Sequence, residues 1–356
     1  MKEFEIKTYS NIKRDKKIND YNNGIQILRM ILSYLILQLH CYNINQTNNK
    51  ILRFFFRANL FYVSTFYIIS YYFSYKTINS KNIKQILIRL QRILIPYFLL
   101  PIIFFLFNNI EYCFLGGNKI NKIIFKDLFI QFLTGQRMHN VFWFQCNLIA
   151  TFILFSIIRF LTKSTNYIFY VQFLGISGSI YYSFDLKYHF FSSKYLYEAR
   201  TLFHDFPKVL FYTSVGITLA SIININIKIH RKKILFFAIF NFYLLRDFTI
   251  LINEPFFYLR TFIIGSGSIS LFLLFSMLPL DYISNQTINK IIKQITSYTG
   301  GVYYFHFKIL DFLKNKLIII KNGTLIGCFF NYIICYILCF FGIKLFGKTK
   351  LKYLFI

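Results

Sequence analysis

The chain has 356 residues, of which 56% are hydrophobic, and its 41 Lys and Arg against 13 Asp and Glu give a formal net charge of +28. So much apolar content excludes intrinsic disorder. Charge-poor blocks of about twenty residues recur from end to end, which excludes an ordinary soluble nucleic-acid binder and leaves no nucleic-acid partner expected. The 47 Phe and 28 Tyr stand beside many Ile, Asn and Lys, a mixture that AT-rich codons produce without selection for a stacking surface.

In chain order, residues 1–23 form a polar, Lys-rich segment. Ten stretches long enough to cross about 30 Å of hydrocarbon follow. They cover 24–41, 52–75, 93–113, 141–161, 166–184, 207–227, 234–252, 256–280, 297–319 and 325–346, and residues 347–356 remain as a tail. Gly116–Asn140 and Asp185–Phe206 read as loops. Lipid offers backbone amides no partner, so each span is predicted to be helical, and strands of about ten alternating residues are absent. The expected fold is all-α: a polytopic transmembrane helical bundle of about ten spans, with one membrane domain over 24–346. Lys and Arg collect before the first span and around 76–92, 159–163, 228–233, 290–293 and 348–352. By the positive-inside rule both termini, 1–23 and 347–356, are cytoplasmic. The first apolar block runs into a polar loop without a small-residue cleavage site, so it reads as a retained span. A multi-pass protein of the plasma membrane, with the lipid bilayer as its first partner, is the expectation.

The six cysteines, Cys41, Cys113, Cys146, Cys328, Cys335 and Cys339, form no CxxC pair. Cys335 and Cys339 share a helical face without His or carboxylate, so they read as packing residues and no metal is expected.

Titratable side chains inside spans are costly and are functional candidates by default. In the first span Arg29 and His40 are eleven residues apart. Eleven steps of about 100° return to within ~20° of the start, so both project from one face, about 16 Å apart along the axis. Either they share a groove, where the arginine holds an anion and the histidine moves a proton, or they snorkel to opposite interfaces. Arg89 and Arg92, at i and i+3 before Pro96, face the inner surface together. That geometry suits phosphate oxygens, and positive-inside anchoring explains it equally. Trp143, near an outer membrane edge with His139 just before it, reads as an interface anchor or an acceptor contact. Arg246 and Asp247, in the seventh span, are a charge-balanced pair or acceptor-pocket groups. His306, with Lys308 and Asp311, crowds the ninth span as a proton relay or a satisfied buried histidine, and Ser297 is placed to cap that span.

Five segments, in order, resemble the motifs of the acyltransferase-3 family of integral membrane O-acyltransferases. Leu28-Arg29 to Leu39-His40 is similar to its opening Arg-to-His signature, and Ala58–Ser70 to its "lFFxxSGY" segment. Arg89-Leu-Gln-Arg92-Ile-Leu-Ile-Pro96 resembles its Arg-x-x-Arg element, His139-Asn-Val-Phe-Trp143-Phe144 its "h-x-W-F-L" stretch, and Ser297–His306 its late "S-Y-x-x-Y-x-x-H". Two departures stand out. Ser64-Thr65 replaces the common Ser-Gly, and Gly300-Gly301 adds a residue to the late motif. The resemblance implies transfer of an acyl group, usually acetyl from acetyl-CoA or another acyl-CoA, onto a hydroxyl of a glycan or lipid-linked acceptor. Arg29, Arg89 and Arg92 would hold the coenzyme A phosphates. His40 would serve as general base or acyl relay, with His306, His139, Trp143 and Asp247 as acceptor or relay groups. The competing expectation is a polytopic transporter or exporter of a glycan or other small molecule.

Overall fold

The structure, a computed structural model, describes residues 23–41, 60–114, 125–135, 142–188, 205–226, 236, 238–241, 260–277, 286–316 and 325–355. Among these residues the chain is all-helical. In chain order the helices are α1 (Asn23–Cys41), α2 (Leu60–Asn79), α3 (Ile83–Phe114), α4 (Phe125–Thr134), α5 (Trp143–Leu161) and α6 (Ser164–Tyr188). They continue with α7 (Phe206–Asn226), α8 (Arg260–Met277), α9 (Gln286–Ser297), α10 (Thr299–Lys316) and α11 (Leu325–Phe346), and a 3-10 turn follows at Lys350–Leu354.

Three helical segments, Ile83–Leu106, Trp143–Leu161 and Phe329–Phe346, are long and apolar enough to cross a membrane, and Gly24–Gln38, Phe206–Ile222 and Thr261–Ser276 are shorter apolar helices. The outward faces are apolar too: Phe98, Leu106, Ile157, Phe173, Ile180 and Phe341 are all exposed. Water would penalise such a surface, and hydrocarbon would not. Of the expected span at 234–252, residues 236 and 238–241 are described and are helical where assigned.

Three segments differ from the sequence reading. The stretch expected as a loop at Gly116–Asn140 contains α4, because Phe125, Leu128, Phe129, Phe132 and Leu133 recur at helical spacing. The segment between the eighth and ninth expected spans forms α9, whose Ile288, Ile291, Ile292 and Ile295 recur in the same way. Finally, α3 starts ten residues before the expected span, so Arg89 and Arg92 stand on the helix itself. Asn82 starts it by accepting the Gln85 amide at 3.2 Å, after Lys81 turns the chain at φ 53°.

α1 is the hub and packs against α2, α8, α9, α10 and α11. Its Ile25, Leu28, Leu32 and Ile36 share a core with Phe61 and Ile68 of α2, Val209 of α7 and Phe272 of α8. A second core joins Ile93, Tyr97, Leu100 and Phe104 of α3 to Phe142, to Cys146 of α5, to Val302 and Phe305 of α10, and to Cys335 and Cys339 of α11. Small residues set how closely the helices approach. A Cβ on Gly216 of α7 would lie 2.5 Å from the Ile68 carbonyl oxygen of α2. Thr65, at the position where the family motif has Gly, is fully buried and donates to the Phe61 carbonyl at 2.5 Å. The close contact here is made from α8 instead: a Cβ on Gly267 would meet the Phe61 ring, and Ser268 lies 2.5 Å from Ser64.

Gly216→Ala is expected to destabilise the protein by roughly 1–3 kcal/mol, since the added methyl meets backbone that has no rotamer to escape into. Thermal unfolding in detergent checks this, and an unchanged midpoint would contradict the α2–α7 contact.

Candidate functional site

Ile86, Ile93, Tyr97, Leu100 and Phe104 are buried positions of α3, and Arg89 belongs to their helical repeat. It therefore points inward, while Arg92 is exposed. Among the described residues, the electrostatic neighbours of Arg89 are Arg29 on α1, Arg92 one turn on, Tyr71 on α2 and Tyr304 on α10, none of them a carboxylate. Arg89 Nε is buried without a hydrogen-bond partner. Arg29 donates to Gln26 Oε1 at 3.0 Å, which aims its guanidinium along α1. Tyr304 stands beside both arginines and beside Gln145 of α5. Pro96 interrupts the hydrogen-bond ladder of α3 near this point, and Gln145 Nε2 donates to the Ile93 carbonyl at 2.5 Å. Its Oε1 has no partner, nor has either polar atom of the fully buried Asn147, two residues on and about 200° around the helix. The Tyr71 hydroxyl is held by Thr151 Oγ1 at 2.5 Å and by the Leu148 carbonyl at 3.1 Å.

The other end of the site is a histidine pair. The rings of His40 and His306 lie 5.2 Å apart, tilted by 36°. His306 is 1% exposed, whereas His40 is exposed. His306 Nδ1 lies 2.6 Å from the Tyr303 carbonyl oxygen. A carbonyl can only accept, so Nδ1 carries the proton and the lone pair sits on Nε2, which is buried without a partner. Asn331 of α11 donates to the His306 carbonyl at 3.3 Å and fixes this turn of α10.

α1 thus carries Arg29 to the arginine cluster and His40 to the histidine pair, and α10 supplies Tyr304 to one and His306 to the other. Trp143 joins the histidine end through a chain of rings: Trp143 to Phe144 at 6.4 Å, Phe144 to Tyr303 at 5.3 Å, and Tyr303 to His306 at 5.8 Å. Lys208, ion-paired with Asp205, stands 5.6 Å from the Trp143 ring centre and 5.1 Å from that of Tyr182. His139 and Asp247 lie outside the described residues. Ser297 does not cap α10: its hydroxyl donates back to the Gln294 carbonyl at 2.7 Å, because it closes α9 instead.

Sequence reasoning passed over Tyr71, Gln145 and Asn147. The two carboxamides carried a signal, being polar residues inside an otherwise apolar helix. Tyr71 had none, since one tyrosine among 28 is not distinctive. No known family pattern, no curated protein and no solved structure matches the chain.

Arg89, with its buried unpartnered Nε, contrasts with an arginine whose hydrogen bonds are made within the fold. Arg159 of α5 donates to Asn79 Oδ1 at 2.8 Å and to the Thr162 carbonyl at 3.1 Å, and lies over Tyr167 at 5.8 Å. Arg159→Met is expected to lower stability by about 1–3 kcal/mol, whereas Arg89→Met leaves it unchanged or raises it. Unfolding midpoints of the two variants check this; a larger loss for Arg89→Met would show that its charge is spent on the fold.

Proposed function

We propose that the protein is an integral membrane acyltransferase with about ten spans and both termini cytoplasmic. It moves an acyl group, acetyl as the first choice, from acyl-CoA to a hydroxyl of a glycan or lipid-linked acceptor, as the resemblance to the acyltransferase-3 family implies. The observation that carries this reading is the pairing along α1: Arg29 meets Arg89 at one end and His40 meets His306 at the other.

Two guanidiniums gathered beside the buried Arg89 suit an anion, and guanidinium is the cation that binds phosphate oxygens in a fixed fork. The donor's phosphates take Arg92, Arg89 and Arg29. Its acyl end reaches the histidine pair along the long arm that separates thioester from phosphates, a span comparable with the ~16 Å of helix rise between Arg29 and His40. His40 takes the proton of the acceptor hydroxyl as the oxygen attacks the thioester carbonyl. The tetrahedral intermediate collapses with cleavage of the carbon–sulfur bond, and the proton passes from His40 to the leaving thiolate, giving ester and free coenzyme A. His306 packs against His40 as a positioning residue, and Nε2 offers the proton a second resting place. The exposed side of His40 and the ring chain to Trp143 form the acceptor side, where aromatic faces suit the apolar faces of a sugar.

The test is reconstitution of the purified protein in liposomes with radiolabelled acetyl-CoA and extracted glycolipids. Labelled glycolipid is expected, and it is lost in His40→Ala at normal protein level. The double variant Arg89→Gln, Arg92→Gln raises the donor KM about tenfold or more, the effect of losing one or two charge-assisted hydrogen bonds. Passage of glycolipid across the bilayer without label incorporation would identify an exporter instead.

A further inference from the structure

The segment after α11 is docked. Its 3-10 turn packs against α3, α10 and α11. Leu354 is 5% exposed and belongs to the same core as Ile93 and Phe305. Phe355 stacks on Phe305 of α10 at 5.5 Å and on Phe346 of α11 at 5.9 Å. Two glycines make room for it: a Cβ on Gly342 would collide with the Phe355 ring, and one on Gly301 would lie 2.7 Å from its carbonyl oxygen. Gly301 belongs to the Gly300-Gly301 pair that lengthens the late motif, so the extra residue has a structural counterpart in this docking.

The docking brings Arg92 to the ring of Tyr353, which also lies beside its neighbour Lys352. Arg92 lies 5.6 Å from the centre of its ring, and Lys352 lies 5.6 Å from the same centre. Among the described residues neither cation forms an ion pair. Two positive charges around one ring repel each other, and the fold holds them there with a buried aromatic wedge. Positive-inside anchoring needs only charge on the correct side of the membrane; it needs neither the wedge nor the shared ring.

The geometry points to a nucleotide subsite formed by Arg92, Lys352 and Tyr353 at the outer end of the arginine cluster. It takes the nucleotide end of the acyl-CoA donor: the base occupies a face of Tyr353, and the cation it displaces from that face binds a phosphate. The inference rests on the acyl-CoA reading above and extends it to residues beyond the family motifs. It makes the C-terminal turn a part of donor recognition, so the nucleotide is read jointly by α3 and by the last residues of the chain.

The experiment is calorimetric titration of coenzyme A into the full-length protein in nanodiscs, for the unmodified protein and for Lys352→Gln, Tyr353→Ala, Tyr353→Phe and Lys348→Gln. Lys352→Gln and Tyr353→Ala are each expected to weaken binding about tenfold. Tyr353→Phe keeps the ring and stays within about twofold, and so does Lys348→Gln, an exposed lysine of the same segment off the ring. Lys352→Gln removes one charge without touching the wedge, so it decides the matter even if Tyr353→Ala loosens the turn. Unmodified protein that binds coenzyme A, with Lys352→Gln binding equally well, overturns the subsite and leaves the acyltransferase reading standing. Equal losses in Lys348→Gln and Lys352→Gln would mean diffuse charge and would also overturn it. Unmodified protein that binds no coenzyme A overturns both.

Discussion

A guanidinium in an apolar helix bundle costs roughly 2.5–3.5 kcal/mol on insertion scales, and a fold normally offsets that cost by giving it partners. Arg159 follows the rule, with Asn79, Thr162 and the Tyr167 face around it. Arg89 does not: it faces inward among Arg29, Arg92 and two tyrosine hydroxyls, and its Nε has no partner. Like charges gathered beside one another are unfavourable for folding alone. They are placed by the packing of α1, α3 and α10, and under the acyl-transfer proposal the donor's phosphates offset the cost. The same contrast holds for the neutral groups. Tyr71, Ser64, Ser268 and Thr151 exchange short hydrogen bonds that tie α2 to α5 and α8. Asn147, the Gln145 oxygen and His306 Nε2 are buried without them. Unpartnered buried atoms occur at the arginine cluster and the histidine pair, in Arg89, Gln145 and His306, and also elsewhere in the bundle, in Ser156, Tyr167, Ser179 and Thr261.

α1 makes this possible because it is surrounded. A peripheral helix has one inward stripe and can deliver one functional group with its neighbours. α1 packs on five helices, so Arg29 and His40, on nearly one face, each meet a partner from another element. α10 repeats the device on a smaller scale, since Tyr304 and His306 are two residues apart yet serve different clusters. Under the acyl-transfer proposal, the separation along α1 divides donor from acceptor: phosphates at one end, the reacting carbonyl at the other.

Much of this was legible in the residues. The helical character followed from apolar blocks that exceed the thickness of hydrocarbon, and among the described residues three helices have the length and composition to cross it. Arg29, His40, Arg89 and Arg92 were singled out because charge in such blocks is conspicuous, and the structure brings Arg29 to Arg89 and His40 to His306. Other features were invisible because they depend on contacts between distant segments. Gln145 reaches a carbonyl beside a proline on another helix, and the chain of rings from Trp143 to His306 crosses from α5 to α10. α4 and α9 were passed over because helices of ten and twelve residues fall below the length that a membrane span requires. The C-terminal segment read as a tail because its docking depends on glycines in two other helices, and nothing local in Lys350–Leu354 signals that Phe355 finds a slot there.

The most direct measurement is a cryo-electron-microscopy map of the full-length protein in nanodiscs with a non-hydrolysable thioether analogue of acetyl-CoA. The account predicts phosphate density against Arg89, Arg92 and Arg29, and the thioether end beside His40, which remains packed on His306. Density for the analogue elsewhere, Arg89 satisfied by a protein carboxylate, or His40 and His306 on opposite sides of the bundle would contradict it.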